Sequence, residues 1–243
     1  MSSELAPDNS TLAGEVAQLC QARGIDAGTV QNLIEDAPGP WWNQGDAPLL
    51  ASDIALLSPG IGAEGVRFRI MAAVDPLWHL TVVTIDRIGA FATTCATLAE
   101  FGLSVLGARA ASWTTHGLAL QHLTVVPVEK PLSGEPDWPT IGLGLRAALV
   151  KPILTVEGAN TLLDGCVVSS VAPAEGSAND IWTVEITGPD TIGLLASITR
   201  TLTALGADII SGDVTSHDGM AHDKFSLRLS DPAGIAALKA LAA

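Results

Sequence analysis

The sequence carries two acidic turns whose residue types and position suit the binding of a small zwitterion. In each turn an aspartate is followed three residues later by a glycine; Asp190 lies 104 positions after Asp86, and Gly193 lies 104 positions after Gly89. An alternating apolar pattern typical of a strand precedes each turn, and a helical pattern follows it. Because the first N–H groups of a helix lack intrahelical partners, each turn presents donors to an anion such as the carboxylate of a free amino acid.

The ammonium group of such a ligand needs a carboxylate or a carbonyl nearby. Asp208, at the start of the next strand, is the predicted partner of Asp190, and in the first half Ser104 stands at the matching position beside Asp86. Gly193 has no Cβ and would let a ligand approach the backbone. The predicted ligand-binding residues are Asp190, Thr191, Ile192, Gly193, Leu194 and Asp208 in the second half, and Asp86, Arg87, Ile88, Gly89, Ala90 and Ser104 in the first.

A purely structural role is the alternative for both turns. Asp86 and Asp190 would then cap their helices, contributing about 1 kcal/mol each, and the glycines would only permit a tight turn. The five histidines show no tight ligand spacing, so neither a metal nor a cofactor is predicted. No nucleophile elbow, Walker loop or zincin motif occurs, and we therefore expect a protein without catalytic activity.

The turns belong to an internal repeat. Residues 77–113 align without gaps with residues 181–217, and the identities include Trp78 with Trp182 as well as the aspartate and the glycine of each turn. Two equivalent units are the simplest account of this alignment.

Each repeat predicts the same series of elements. A leading strand is expected at 65–74 in the first and at 165–172 in the second, followed by a strand up to the acidic turn, a helix and a hairpin. A second helix closes each unit, near 139–150 and at 232–243. The predicted fold class is α+β, with two ββαββα units that each form a four-stranded antiparallel sheet carrying two helices on one face.

The series of strand, Asp-x-x-Gly turn, helix, glycine, strand and the segment GMAHDKF at 219–225 resembles the ACT domain, a small-molecule regulatory module. It is similar in particular to the tandem ACT pair at the C terminus of the bacterial bifunctional uridylyltransferase/uridylyl-removing enzyme and to plant ACT-repeat proteins. The resemblance implies two ferredoxin-like ACT domains, at 65–164 and 165–243, after a helical N-terminal region at 1–64. ACT sheets pair edge to edge, which implies a homodimer or a pseudo-symmetric pair within one chain.

The resemblance also implies a function. Positions matching Asp190 and Asp208 are common ligand contacts in the family, which often has Asn where this chain has Asp208 and Ser104. The implied protein is a regulator that binds a free amino acid, glutamine or another nitrogen-status signal, and passes the signal to a partner protein. A ligand-free adaptor that docks onto a metabolic enzyme is the alternative.

The N-terminal region predicts helices at 12–23, 27–36 and 49–57, with a Pro/Gly/Trp segment before the last. Trp41 and Trp42 in this segment are a candidate hot spot for the adaptor's partner. The alternative is that they clamp the segment onto the first sheet.

Composition limits the partners and the compartment. The net charge is −14 with only 12 Lys and Arg, which disfavours nucleic acid. No secretory signal and no membrane span is visible, so we expect a cytoplasmic protein without a membrane partner. The three widely spaced cysteines are typical of reduced thiols, and Cys95 falls on the apolar stripe of a predicted helix, where we expect it in the core.

Overall fold

The structure is a computed structural model that describes residues 7–58, 60–62, 65–129, 134–151, 165–174 and 180–242. The elements of the N-terminal region are α1 (Pro7–Ala22), α2 (Ala27–Glu35), a 3₁₀ helix (Gly39–Asn43) and α3 (Ala47–Leu57). Those of the first repeat are β1 (Val66–Ala72), β2 (Trp78–Ile85), α4 (Ala90–Glu100), β3 (Leu103–Trp113), β4 (Leu118–Pro127) and α5 (Trp138–Val150). Those of the second are β5 (Val167–Pro173), β6 (Ile181–Pro189), α6 (Leu194–Ala204), β7 (Asp208–His217), β8 (Met220–Arg228) and α7 (Pro232–Ala240).

The eight strands of the described residues form one antiparallel sheet in the order β1-β2-β4-β3-β7-β8-β6-β5. Each repeat is a ferredoxin-like ββαββα unit whose leading strand takes the outer edge, which confirms the predicted fold class. The units join edge to edge through β3 and β7, so the pseudo-symmetric pair lies within one chain. The predicted domain limits at residues 64 and 164, and the connector at 152–164, lie outside the described residues.

Two glycines that weaken the helical pattern of α5 have a packing role. A Cβ on Gly142 would lie 2.3 Å from the ring of Phe68, and one on Gly144 would lie 2.4 Å from the ring of Phe101. The missing side chains therefore let α5 approach two aromatic rings, one on β1 and one at the end of α4.

Two apolar cores lie on opposite faces of the sheet. The first is shared by both repeats and runs without a break beneath α4, α5, α6 and α7, from Val66 to Leu238. Cys95 is buried within it, as predicted. The second core fills the space between the opposite face of the first unit and the N-terminal helices.

The tryptophan pair belongs to that second core. Trp41 and Trp42 are both buried, and the Trp41 ring lies edge-on to Trp113 of β3 with 5.3 Å between centroids. The Trp41 indole donates to Asp53 Oδ2 over 3.1 Å, and the Trp113 indole donates to the carbonyl of Leu33 over 2.9 Å. The pair therefore clamps the N-terminal layer onto the first sheet, and the hot-spot alternative for these two residues is wrong.

Among the described residues, no helix is long and apolar enough to cross a bilayer.

Candidate functional site: two crevices between the repeated units

Both acidic turns have the same backbone geometry. The Asp86 N–H donates to the carbonyl of Gly117 and the Asp190 N–H to that of Gly219, each over 2.8 Å, which ties each turn to the tip of its own hairpin. The following helices begin at glycines in the left-handed conformation, with φ of 82° at Gly89 and 78° at Gly193. This conformation favours glycine and explains the Asp-x-x-Gly spacing.

The aspartate side chains do not cap the helices, so the capping alternative is wrong. Neither α4 nor α6 has a side-chain cap. Instead Asp86 accepts a hydrogen bond from Ser112 Oγ over 3.1 Å, and Asp190 accepts one from Ser216 Oγ. The two serines occupy equivalent positions in the repeat, and each holds its carboxylate against the adjacent strand.

The structure exchanges the predicted partners between the units. Because β3 and β7 run antiparallel, the start of each strand lies beside the end of the other. The end of each strand carries the serine that binds the turn aspartate of its own unit. Asp190 therefore shares a crevice with Ser104, and Asp86 shares one with Asp208. The pairing of Asp190 with Asp208 and of Asp86 with Ser104 within one unit is wrong. We call these cavities the Asp190 crevice and the Asp86 crevice.

A buried carboxylate faces the Asp190 crevice. Asp223, on β8, is 3% exposed, and neither of its oxygens has a hydrogen-bond partner among the described residues. Burial, and then the charge of Asp190, raise the pKa of Asp223 to about 7. Its negative charge in turn contributes to the raised thiol pKa of Cys95 and of Cys166, after burial as the main cause.

The Asp86 crevice contains a buried amide at the equivalent position. Gln121, on β4, is 1% exposed, and neither Oε1 nor Nε2 has a partner among the described residues. Unpartnered buried polar groups are rare in proteins and costly. The repeat therefore places an unpartnered buried polar group at the equivalent position of each crevice. This group is a carboxylate in the Asp190 crevice and an amide in the Asp86 crevice.

Two carboxylates face each other across the Asp86 crevice. The pKa of Asp86 is raised by burial and then by the charge of Asp208, while the Ser112 hydrogen bond opposes the shift. Burial also raises the pKa of Asp208, although Arg228 lies 3.2 Å away and opposes it. Both raised values reflect a site that favours an added positive charge.

Most of the other predicted ligand-binding residues line one of the two crevices. Thr191, Gly193 and Leu194 line the Asp190 crevice, and Gly89 and Ala90 line the Asp86 crevice. The side chains of Ile88 and Ile192 are about half exposed and line neither crevice.

Arg87 lines the Asp86 crevice but is held elsewhere. Its Nη2 donates to the carbonyl of Leu149 at the end of α5. Burial lowers the pKa of this guanidinium from its ordinary value.

Asp223 and Gln121 are not among the ligand-binding residues predicted from the sequence. They occupy equivalent positions in the segments GMAHDKF and GLALQHL. Both stand at strand positions whose alternate neighbours are apolar and face the core. A polar residue at a core-facing position on both hairpins was the available signal.

Both crevices are narrow. The Asp190 crevice has a volume of about 20 Å³ and the Asp86 crevice about 10 Å³. A cavity needs about 10–15 Å³ to admit one water molecule, so each holds about one water. Binding of anything larger requires the turn to move away from the strand of the other unit.

No protein-family model and no curated protein matches the sequence. Among solved structures, the chain is similar to a crystal structure of aspartate kinase from Synechocystis, with a TM-score of 0.38 and 14% sequence identity. The match covers 68% of this chain and 26% of that chain. The ferredoxin-like fold of the two units is shown by their element order and strand order.

Proposed function

We propose that the protein is a non-catalytic regulator that binds a free amino acid in the crevices between its two ACT-like units. The observation that carries this proposal is the repeated buried polar group, Asp223 in one crevice and Gln121 in the other, with no partner among the described residues. A ligand with a donor group would satisfy both.

The Asp190 crevice offers complementary groups for the two ends of an amino acid. The turn from Thr191 to Gly193 opens α6, so its backbone N–H groups suit the ligand carboxylate. Asp190 and Asp223 both face the same crevice and suit the ammonium group. In the Asp86 crevice, the facing carboxylates of Asp86 and Asp208 play the corresponding part.

The position of the crevices between the units supplies a route to regulation. Each crevice combines a turn from one unit with the first residues of a strand from the other. A ligand that binds only when the crevice opens stabilises the open arrangement by the difference in its affinity for the two states. A partner protein that contacts both units would sense that change.

The resemblance to the tandem ACT pair of the uridylyltransferase/uridylyl-removing enzyme favours glutamine or another nitrogen-status signal as the ligand. The same resemblance favours a partner enzyme or signalling protein and a homodimer. The molar mass in solution, measured by light scattering, tests the homodimer.

Thermal unfolding in the presence of each of the twenty amino acids tests the proposal. A ligand at 100 times its Kd stabilises the folded state by about 2.7 kcal/mol, which raises the midpoint of a chain of this size by roughly 5 °C or more. We expect one or a few amino acids to produce such a shift at millimolar concentration. If none does, the sensor proposal fails and a ligand-free adaptor becomes the better account.

A further inference from the structure

The sheet face opposite α4 and α6 carries two rows of aligned side chains. The register of five neighbouring strands, β1, β2, β4, β3 and β7, places one residue of each strand in each row. The first row is Arg69, Thr81, His122, Arg109 and Asp213, and the second is Met71, His79, Thr124, Gly107 and Thr215.

These rows form the floor of a cleft. Gln44 and Leu49 of the N-terminal layer form part of its wall, and its volume is about 370 Å³. Small-molecule sites typically have about 300–1,000 Å³. We call it the outer-face cleft, and it is far larger than either crevice on the helical face of the sheet.

The outer-face cleft concentrates basic residues in an acidic protein. The chain has a net charge of −14, with 12 Lys and Arg and five His. Two of those arginines, Arg69 and Arg109, and two of the histidines, His79 and His122, line this one cleft. Asp213 is the only carboxylate among its described lining residues.

Asp53 fixes part of this set from the N-terminal layer, on the same side of the sheet as the cleft. It is fully buried on α3 and accepts from Trp41 Nε1 over 3.1 Å, from His122 Nε2 over 2.9 Å and from Arg69 Nη2 over 3.2 Å. Arg69 Nη2 also donates to Thr81 Oγ1 over 3.1 Å. With three donors already bound, this carboxylate orients Arg69 and His122 without facing the cleft itself.

Arg109 is held only weakly and can contact a ligand in the cleft. Its Nε lies 3.7 Å from Asp213 Oδ1, and the two side chains are 48% and 61% exposed. A surface pair this loose contributes little, since solvent screens it. An anion in the cleft can therefore bind the Arg109 guanidinium, because replacing the Asp213 contact costs little free energy.

Gly107 keeps the centre of the floor open. A Cβ at this position would meet no atom closer than 3.4 Å, which is ordinary van der Waals contact. Its φ lies outside the left-handed region, so a larger residue fits the backbone and its side chain would project into the cleft beside Thr124.

We propose that the outer-face cleft binds a small metabolite through an oxyanion group, a carboxylate or a phosphate. The planar guanidinium groups of Arg69 and Arg109 match such groups in geometry and charge. Met71 and Leu49 supply apolar contact for the rest of the ligand. Since Asp213 and Thr215 belong to the second unit, the bound ligand would span the β3–β7 junction.

Isothermal titration of the full chain with inorganic phosphate and with citrate, at constant ionic strength, tests this site. We expect at least one probe to bind and Arg109→Gln to weaken it about tenfold, as loss of a charged hydrogen bond predicts. Gly107→Leu, which fills the floor, should weaken it at least as much. The matched control is Arg200→Gln, because it removes the same charge from an exposed residue of α6, on the opposite face of the sheet.

Each outcome decides the proposal. Binding of phosphate alone assigns a phosphate-bearing ligand, and binding of citrate alone assigns a carboxylate. If neither probe binds, or if Arg109→Gln weakens binding no more than Arg200→Gln does, the cleft is no oxyanion site. Asp223→Asn should leave this binding unchanged, which separates it from the amino-acid crevices.

Discussion

At the scale of single residues, Asp223 has the strongest consequence for stability. It is a buried carboxylate without a hydrogen-bond partner in the part of the chain that the structure describes, and the titratable groups that face it there are Asp190 and the thiols of Cys95 and Cys166. Burial favours its neutral form, so its pKa rises to about 7 in the folded state from 3.8 in the ordinary one. The folded chain therefore binds a proton more tightly than the unfolded chain does.

Asp223→Asn should change the pH dependence of the free energy of unfolding. For a group with a raised folded pKa, stability is fully present below the unfolded pKa and is lost as pH rises through the folded pKa. The shift corresponds to on the order of 4 kcal/mol at about 1.4 kcal/mol per pKa unit. Relative to that of the variant, the free energy of unfolding of the natural chain should fall by a few kcal/mol between about pH 4 and about pH 7. Urea unfolding measures this difference.

Parallel stability curves for the two chains across this range would contradict the burial argument for Asp223. Above about pH 8 the difference should be constant, because Asp223 is ionised in both the folded and the unfolded state.

Asp190→Ala should abolish the thermal shift that a bound amino acid produces. The change removes a carboxylate that faces the crevice and is held by Ser216, while the backbone bond from its N–H to Gly219 remains. The fold should stay intact, as checked by circular dichroism. Glu185→Ala is the matched control, because it removes the same charge from the opposite face of the sheet, and it should keep the shift. A shift that survives in Asp190→Ala removes this residue from the site.

At the scale of elements, both ββαββα units follow from alternation, helical spacing and the repeat. Within the described residues, the ends of the predicted helices and strands lie within five residues of the observed ends. The largest difference is in the first helix, which is predicted at 12–23 and observed at Pro7–Ala22. The crossed pairing of Ser104 and Asp208 was not accessible in this way. Aligning the halves shows which positions are equivalent in the two units, whereas the pairing across the units depends on the direction in which β3 and β7 meet.

Gly193→Ala tests the backbone of the acidic turn. The φ of Gly193 is 78° and no atom of the described residues lies within 4 Å of the added Cβ, so the cost is conformational rather than steric. We expect a loss of about 1–2 kcal/mol in the free energy of unfolding. Gly14→Ala is the control, because Gly14 lies in α1 with open space around it and should gain up to about 1 kcal/mol. Equal effects of the two substitutions would contradict the left-handed turn.

At the scale of the whole molecule, the two units are continuous in both sheet and core. Strand β3 pairs with β7 over residues 107–111, α4 packs against α6, and one apolar core runs beneath both. Neither unit can unfold without exposing apolar surface of the other.

Differential scanning calorimetry should therefore show one cooperative transition in which the calorimetric and van't Hoff enthalpies agree. Two separated transitions would mean that the units are stable independently. The continuous sheet would then fail as the route by which a ligand in one crevice affects the other unit.

We propose that the amides of the acidic turns and the buried groups behind them hold a free amino acid. Hydrogen–deuterium exchange of the chain, with and without a mixture of the twenty amino acids, measures this most directly. We expect slower exchange at 190–194, at 86–90 or at both when the mixture is present. Unchanged exchange at both turns under millimolar amino acids would contradict it.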